Sequence, residues 1–299
     1  MSNYTNNLFH SDEKNNSWVH LFELIPAKSR VLDVGCSSGN FGEALIQRKH
    51  CEVIGLDIDK ADVNEAEKKL TAAYKRNVEQ ESIEDLGMFD VVIFADVLEH
   101  LMDPVSALQK VKKQLKTGGR VVFSIPNMAH ISVRLQTMEG FFEYTPIGVL
   151  DRTHLHYYDE IEVKHLFAEA GFAIQEMRPT MWTYPVSVIS ERLLRIGLAI
   201  HDKSKLLKTL DDTKANVWQF IGAALPAATK EKPAKRQLQY RMPPEELQLT
   251  LEARDRELVK LGDELRLLTE ENEQLKHRIS HTLKRAAHTF VHTLRKKRH

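Results

Sequence analysis

The sequence predicts an α/β fold, a seven-stranded and mostly parallel sheet with helices on both faces, followed by a C-terminal coiled coil and a basic amphipathic helix. Three observations carry that expectation. From Arg30 to about Leu225, short apolar runs alternate with helical periodicity, the pattern of a sheet covered on both sides. Residues 31–45, VLDVGCSSGNFGEAL, read as a strand, a glycine-bearing turn and the start of a helix. Beyond residue 244 the apolar period changes to 3.5 residues, which is the period of a coil seam.

The strands are expected at 30–35, 52–57, 77–81, 89–96, 120–126, 172–177 and 217–225, each an apolar run bounded by turn-forming residues. One helix is well marked. Asp103 is its N-cap, Pro104 takes the first helical position, Val105, Leu108, Val111 and Leu115 form its apolar stripe, and Gly118-Gly119 ends it. A second apolar helix is expected at 186–200. Cys36 and Cys51 should lie at opposite edges of the sheet, too far apart for a disulfide. Residues 1–225 thus form one domain, and 226–244, with three further prolines, reads as a linker.

From 245 to 280 the heptad takes Leu251, Leu258, Leu265, Asn272 and Ile279 at position a, and Arg254, Leu261, Leu268, Leu275 and Thr282 at d. Seven of those ten are Leu or Ile, and paired Asn272 residues favour a parallel dimer over a trimer. A single helix folded back on the domain is the competing reading. In 281–299 the apolar residues Leu283, Ala286, Ala287, Phe290, Val291 and Leu294 follow a helical period beside six Lys or Arg, so this tail suits an anionic membrane surface. Nucleic-acid binding and a solvated end compete with that reading; the apolar stripe weighs against nucleic acid.

Charge must be read in segments. The 299 residues carry 42 Lys+Arg and 42 Asp+Glu, yet 245–276 holds ten acids against five bases and the tail has no acid after His281. A zero total therefore does not exclude an anionic partner. With 42% hydrophobic residues the chain can bury a core, so disorder throughout is excluded. No apolar run approaches the roughly 20 residues of a spanning helix, and the polar N-terminus lacks a secretory pattern, so the expected place is the cytoplasm, peripheral on the inner face of the cell membrane.

The glycine pattern of the first turn is G-x-x-x-G-x-x-G, from Gly35, Gly39 and Gly42, with Ser37 where a dinucleotide fingerprint has glycine. Asp57 ends the second strand, 22 residues after Gly35, where a carboxylate can accept both hydroxyls of a ribose. Asp33 lies on the first strand and Asp96 ends the fourth. Three acids at one sheet edge suit a ligand with a sugar and a positive charge rather than a polyphosphate.

These residues resemble the class I S-adenosylmethionine-dependent methyltransferases, whose fold is Rossmann-like. The likeness spans about residues 17–225. It rests on the Asp33, Gly35, Ser37, Gly39 motif, on Asp57, on FADVLEH at 94–100 and on LKTGGRVVFSIPN at 115–127. It implies that Asp33, Gly35, Ser37 and Gly39 hold the methionine end of S-adenosylmethionine, that Asp57 holds the ribose, that Ser82 and Ile83 flank the adenine, and that Asp96 belongs to the cofactor side. Ser82 stands where the family often has Asp, and the stretch Gln80 to Ile83 is similar to one in quinone O-methyltransferases.

Methyl transfer to a hydroxyl needs a base. The candidates are His100, His154 and His156, with Arg152, Tyr157 and Tyr158 on the acceptor side, all but His100 from DRTHLHYY at 151–158. If that segment is extended, alternation puts His154 and His156 on one face. The residue spacing shows no metal set, so no metal is expected. Residues 125–159 also resemble enzymes encoded beside bacterial glycosyltransferases that act on cell-surface polysaccharide precursors. That resemblance implies a glycan or glycolipid acceptor in O-antigen-like biosynthesis and a glycosyltransferase partner. A quinone or other small molecule is the alternative acceptor, and a non-catalytic cofactor-sensing scaffold a second alternative.

Overall fold

A computed structural model describes residues 14–227 and Arg266. The expected coil at 245–280, the tail at 281–299 and most of the linker lie outside the described residues, as do the dimer and membrane contact built on them. In chain order the elements are α1 (Ser17–Leu24), β1 (Arg30–Val34), α2 (Asn40–Lys49), β2 (Glu52–Asp57), α3 (Lys60–Ala66), β3 (Ala72–Lys75), β4 (Phe89–Ala95) and α4 (Pro104–Lys112). They continue as β5 (Leu115–Pro126), α5 (Ile131–Met138), α6 (Glu160–Glu169), β6 (Phe172–Met181), α7 (Val186–Arg195), α8 (Lys203–Asp212) and β7 (Val217–Pro226).

The seven strands form one sheet in the order β3-β2-β1-β4-β5-β7-β6. β7 runs antiparallel between β5 and β6 and the remaining pairings are parallel. The central strands read as near-continuous apolar runs because both faces are covered. Val31, Leu32, Val53, Val91, Val92, Ile93, Phe94, Val121, Val122 and Phe123 are buried. Parallel pairing of β1, β2 and β4 brings their C-terminal ends to one edge, and the order reverses between β1 and β4, where an α/β sheet opens a crevice for a ligand.

Three expectations need correction. The third strand is Ala72–Lys75 rather than 77–81. Residues 77–81 fold instead as a turn closed by side chains: Asn77 Oδ1 accepts from Glu79 N at 2.8 Å, and Glu81 Oε1 accepts from Asn77 N at 2.8 Å. Asn readily bonds its own backbone two residues on, which competes with a strand. Leu115 belongs to β5, paired with Phe89, and not to the stripe of α4, which ends at Lys112. The helix expected at 186–200 is shorter: α7 stops at Arg195 with Gly197 at φ +80° just beyond it, and a further helix, α8, starts at Lys203, capped by Asp202, which accepts from Lys205 N at 3.0 Å. Asp103 caps α4 as expected, accepting from Ser106 N at 2.9 Å. Cys36 and Cys51 are buried free thiols. No helix among the described residues is long and apolar enough to cross a membrane.

Candidate active site

The site begins at the turn after β1. Gly35 takes φ +73°, and a Cβ there would lie 2.5 Å from Val97 Cγ2, so a side chain is barred by both backbone and space. Gly39, at φ +79°, caps α2, and its missing Cβ would come within 3.0 Å of Ala66 Cα. Its small size therefore serves packing on α3. Between them Ser37 also holds a positive φ of 47°. That strained residue is tied down by Asp57, whose Oδ2 accepts from Ser37 N at 2.8 Å while Oδ1 accepts from Asp59 N at 2.9 Å. Each carboxylate oxygen keeps a further lone pair, so Asp57 can still receive a ribose diol.

Asp33 is buried behind this turn. Burial, with the neighbouring Asp57 charge second, pushes its carboxyl up to about 7. A cation at this edge would reverse that shift. Ile58, next to Asp57, is 67% exposed and so puts an apolar face beside that acid. The only advance signal for Ile58 was its place directly after Asp57.

Ile83 is completely buried, backbone included, so it supports this edge from within. Ser82 is exposed, and its Oγ accepts from Glu84 N at 3.2 Å.

Asp96 stands apart from Asp33 and Asp57. Its φ of 55° swings the carboxylate toward β7, where Oδ1 accepts from Gln219 Nε2 at 2.8 Å. Burial raises its pKa, and His100 lowers it slightly. The acids expected at one edge therefore divide into two groups: Asp33 with Asp57, and Asp96 with Glu99. Parallel strand direction predicts which edge a residue reaches, but the left-handed backbone at Asp96 decides where its side chain goes.

Glu99 is 1% exposed, and both carboxylate oxygens lack a hydrogen-bond partner. Burial first, then the Asp96 charge, raises its pKa well above the carboxylate range. Its carbonyl accepts from Leu155 N at 2.8 Å and His156 N at 3.1 Å, which pins the 151–158 segment against the end of β4. His100 and His154 then meet edge to face, with ring centroids 4.7 Å apart.

Both imidazoles are oriented by carbonyls. His100 Nδ1 lies 3.2 Å from Thr153 O and 3.1 Å from Thr153 Oγ1, and Thr153 Oγ1 donates to Asp151 Oδ1 at 2.7 Å. His154 Nδ1 lies 3.1 Å from Val149 O. A carbonyl only accepts, so Nδ1 carries the proton in each ring and Nε2 keeps a lone pair. Burial, then His100, holds His154 below the usual histidine range, so it is neutral at pH 7. One donor atom each from Glu99, His100 and His154 lies within 4.8 Å of the others, a set that can receive hydroxyl protons or a metal ion. Spacing in the sequence did not reveal this group, because its members come from two segments.

His156 is not part of it. The chain turns at 151–154, where His154 N donates to Asp151 O at 3.1 Å, so the alternation expected of an extended segment fails. His156 packs instead with Tyr158, at 6.1 Å between rings, and lies near enough to Asp103 for that acid to feel its charge. Tyr158 is buried, and burial followed by the Glu99 charge raises its pKa. Tyr157 lies 6.3 Å from His154 and 6.4 Å from Phe142, and Phe142 lies 5.3 Å from Tyr144. Arg152 is exposed and stacks over Tyr144 at 5.8 Å. A row of rings thus leads from the histidine pair to the surface.

A Rossmann-like domain with a carboxylate at the end of β2, a second, buried acid beside it and a separate cluster of titratable side chains is the arrangement of a transferase that uses a nucleoside cofactor. Comparison with known proteins agrees: a family model described as a methyltransferase domain matches residues 9–177, more than half of the chain. The chain belongs to the class I methyltransferase family, and its cofactor is S-adenosylmethionine. The ubiquinone biosynthesis O-methyltransferase of Acinetobacter baylyi is 29% identical over 160 residues, covering 50% of this chain and 66% of that protein. The protein of the same name from Alkalilimnicola ehrlichii is 38% identical over 104 residues, covering 33% of this chain and 42% of its own length. The chain thus spans less than two thirds of the length of these relatives. Among solved structures, the complex of the Haloferax volcanii Trm112 methyltransferase activator with a methyltransferase matches with a TM-score of 0.50 at 14% identity, covering 73% of this chain and 92% of that one. Likeness at that identity shows the fold.

Proposed function

We propose that the protein moves the methyl group of S-adenosylmethionine to a hydroxyl oxygen. The cofactor supplies a methyl already activated by its sulfonium, so the chain's task is to align an oxygen behind it and remove a proton. Asp33, Gly35, Ser37 and Gly39 shape the methionine side of the site, and Asp57 takes the ribose. The observation that carries the reading is the group of His100, His154 and the unpartnered Glu99 carboxyl, with one donor atom of each within 4.8 Å of the others. As the O–CH3 bond forms and the S–CH3 bond breaks, the hydroxyl proton passes to the histidine pair, and Thr153 and Val149 carbonyls hold each ring in place.

The acceptor is a hydroxylated ring of the quinol type. The names of the curated relatives support that acceptor, and the ring row of Tyr157, Phe142 and Tyr144 gives it an aromatic wall. The glycan or glycolipid acceptor expected from residues 125–159 has the support of that resemblance alone, as does a glycosyltransferase partner. Radiolabelled cofactor with a catechol probe tests the reading. His154→Gln and His100→Gln are expected to lower kcat by about 10²–10⁴-fold with S-adenosylhomocysteine affinity unchanged. Full activity in both variants would remove the histidine pair from the reaction.

A further inference from the structure

The segment 77–83 leads from β3 to the rim of the cofactor edge, and four of its carbonyls are held by cations. Lys110 Nζ, from α4, donates to Val78 O at 2.6 Å, Glu79 O at 2.9 Å and Glu81 O at 3.0 Å. All three ammonium protons are thereby used. Arg76 Nη1 donates to Ser82 O at 2.8 Å and is itself fixed by Asp85 at 2.6 Å. The turn is braced from a third side, where Glu79 Oε1 accepts from Asp103 N at 2.8 Å.

Peptide geometry makes these bonds directional. In a planar trans peptide the carbonyl and the following N–H point in opposite directions, and no cis bond occurs among the described residues. Holding Glu81 O and Ser82 O toward Lys110 and Arg76 therefore turns the N–H groups of Ser82 and Ile83 the other way. Ile83 is completely buried, backbone included, whereas Ser82 is exposed, so the N–H that a ligand can reach here is that of Ser82.

We propose that Lys110, which stands one helix away from the site, is a positioning residue for the cofactor: it sets the peptide planes of the 78–82 turn so that the backbone donor of Ser82 faces the nucleobase. The inference rests on the assignment of this edge to the adenine.

Calorimetry with S-adenosylhomocysteine and S-inosylhomocysteine tests it, because the inosine base carries a proton on N1 and a carbonyl at C6 and so reverses the pattern offered to that donor. The intact protein is expected to prefer the adenine ligand. Lys110→Met, which keeps the stem and removes the donors, is expected to weaken S-adenosylhomocysteine about tenfold and to shrink the preference, with kcat at saturating cofactor unchanged. Equal loss of both ligands, or no loss of either, would overturn the proposal, since a lysine that merely supports the fold cannot change the ratio. Lys110→Arg, which keeps charge and donors, is expected to restore most of the preference over Lys110→Met. Should Lys110→Met fail to fold, Lys110→Gln carries the same ratio test. If the intact protein bound both ligands equally, the adenine assignment of this edge would fall, and the inference with it; that outcome is distinct from a normal preference that Lys110→Met leaves intact.

Discussion

At Asp33, folding and cofactor binding make opposite demands on one carboxyl. An acid whose folded value, about 7, exceeds its unfolded value near 4 binds its proton more tightly in the folded chain. Stability therefore falls as pH rises from roughly 4 to 7, and above that range the whole penalty, on the order of 4 kcal/mol, remains. The ionised form is nonetheless the one that attracts a cationic ligand. Asp33→Asn removes the charge at nearly constant shape. It is expected to raise the melting temperature at pH 8, to change it little at pH 4, and to weaken S-adenosylhomocysteine binding, while the unaltered protein binds more tightly up to about pH 7 and then levels off. A variant less stable than the parent at pH 8 would contradict the buried-charge account.

Much of this site was legible residue by residue, and some was not. Asp33, Gly35, Ser37, Gly39 and Asp57 lie within a short stretch whose spacing follows from strand, turn and helix geometry. Glu99, His100, Asp151, Thr153 and His154 come from segments some 50 residues apart, as with the 53 that separate His100 from Thr153. Their meeting depends on the carbonyl of Glu99 pinning the later segment, which no local pattern encodes.

Among the elements, β7 leaves little room at Gly222. It lies antiparallel between β5 and β6, and a Cβ on Gly222 would fall 2.6 Å from Phe123 Cζ and 2.7 Å from Glu176 O. The phenyl ring can shift, but the carbonyl belongs to the neighbouring strand at its register shift between Ile174 and Glu176. Gly222→Ala is expected to cost about 1–3 kcal/mol in denaturant unfolding, and an unchanged midpoint would show that the sheet yields there. β1, β2, β4 and α4 were readable because apolar runs and caps are local signals. β3 was not: AAYK at 72–75 has no β-branched residue, while Asn77-Val78 next to it imitates a strand start. The helix was expected to run on to Ile200 because Ile189, Leu193 and Ile200 face a single apolar cluster with Ile131 and Leu135 of α5. The apolar pattern continues across the break that Gly197 makes.

For the whole molecule the open question is what residues 228–299 add to the described domain. β7 ends at Pro226, so the sheet is complete before the linker. A chain ending at residue 244 is expected to bind S-adenosylhomocysteine as the full chain does and to run as a monomer by light scattering, with the full chain a dimer. Equal masses for the two would remove the coil, and salt-insensitive flotation of the full chain with anionic liposomes would remove the membrane contact of 281–299.

The sequence by itself determined the alternating architecture, the glycine turn, the ribose acid and the cap of α4, since each is set by neighbours within about 20 residues and by backbone sterics. It also carried the charge partition between residues 245–276 and 281–299, which the zero total hides. Only the tertiary structure decided that Asp96 parts from Asp33 and Asp57, that His154 rather than His156 meets His100, and that Lys110 holds the carbonyls of Val78, Glu79 and Glu81. Those outcomes depend on where side chains distant in sequence can satisfy buried polar groups, and that is settled by packing across the sheet.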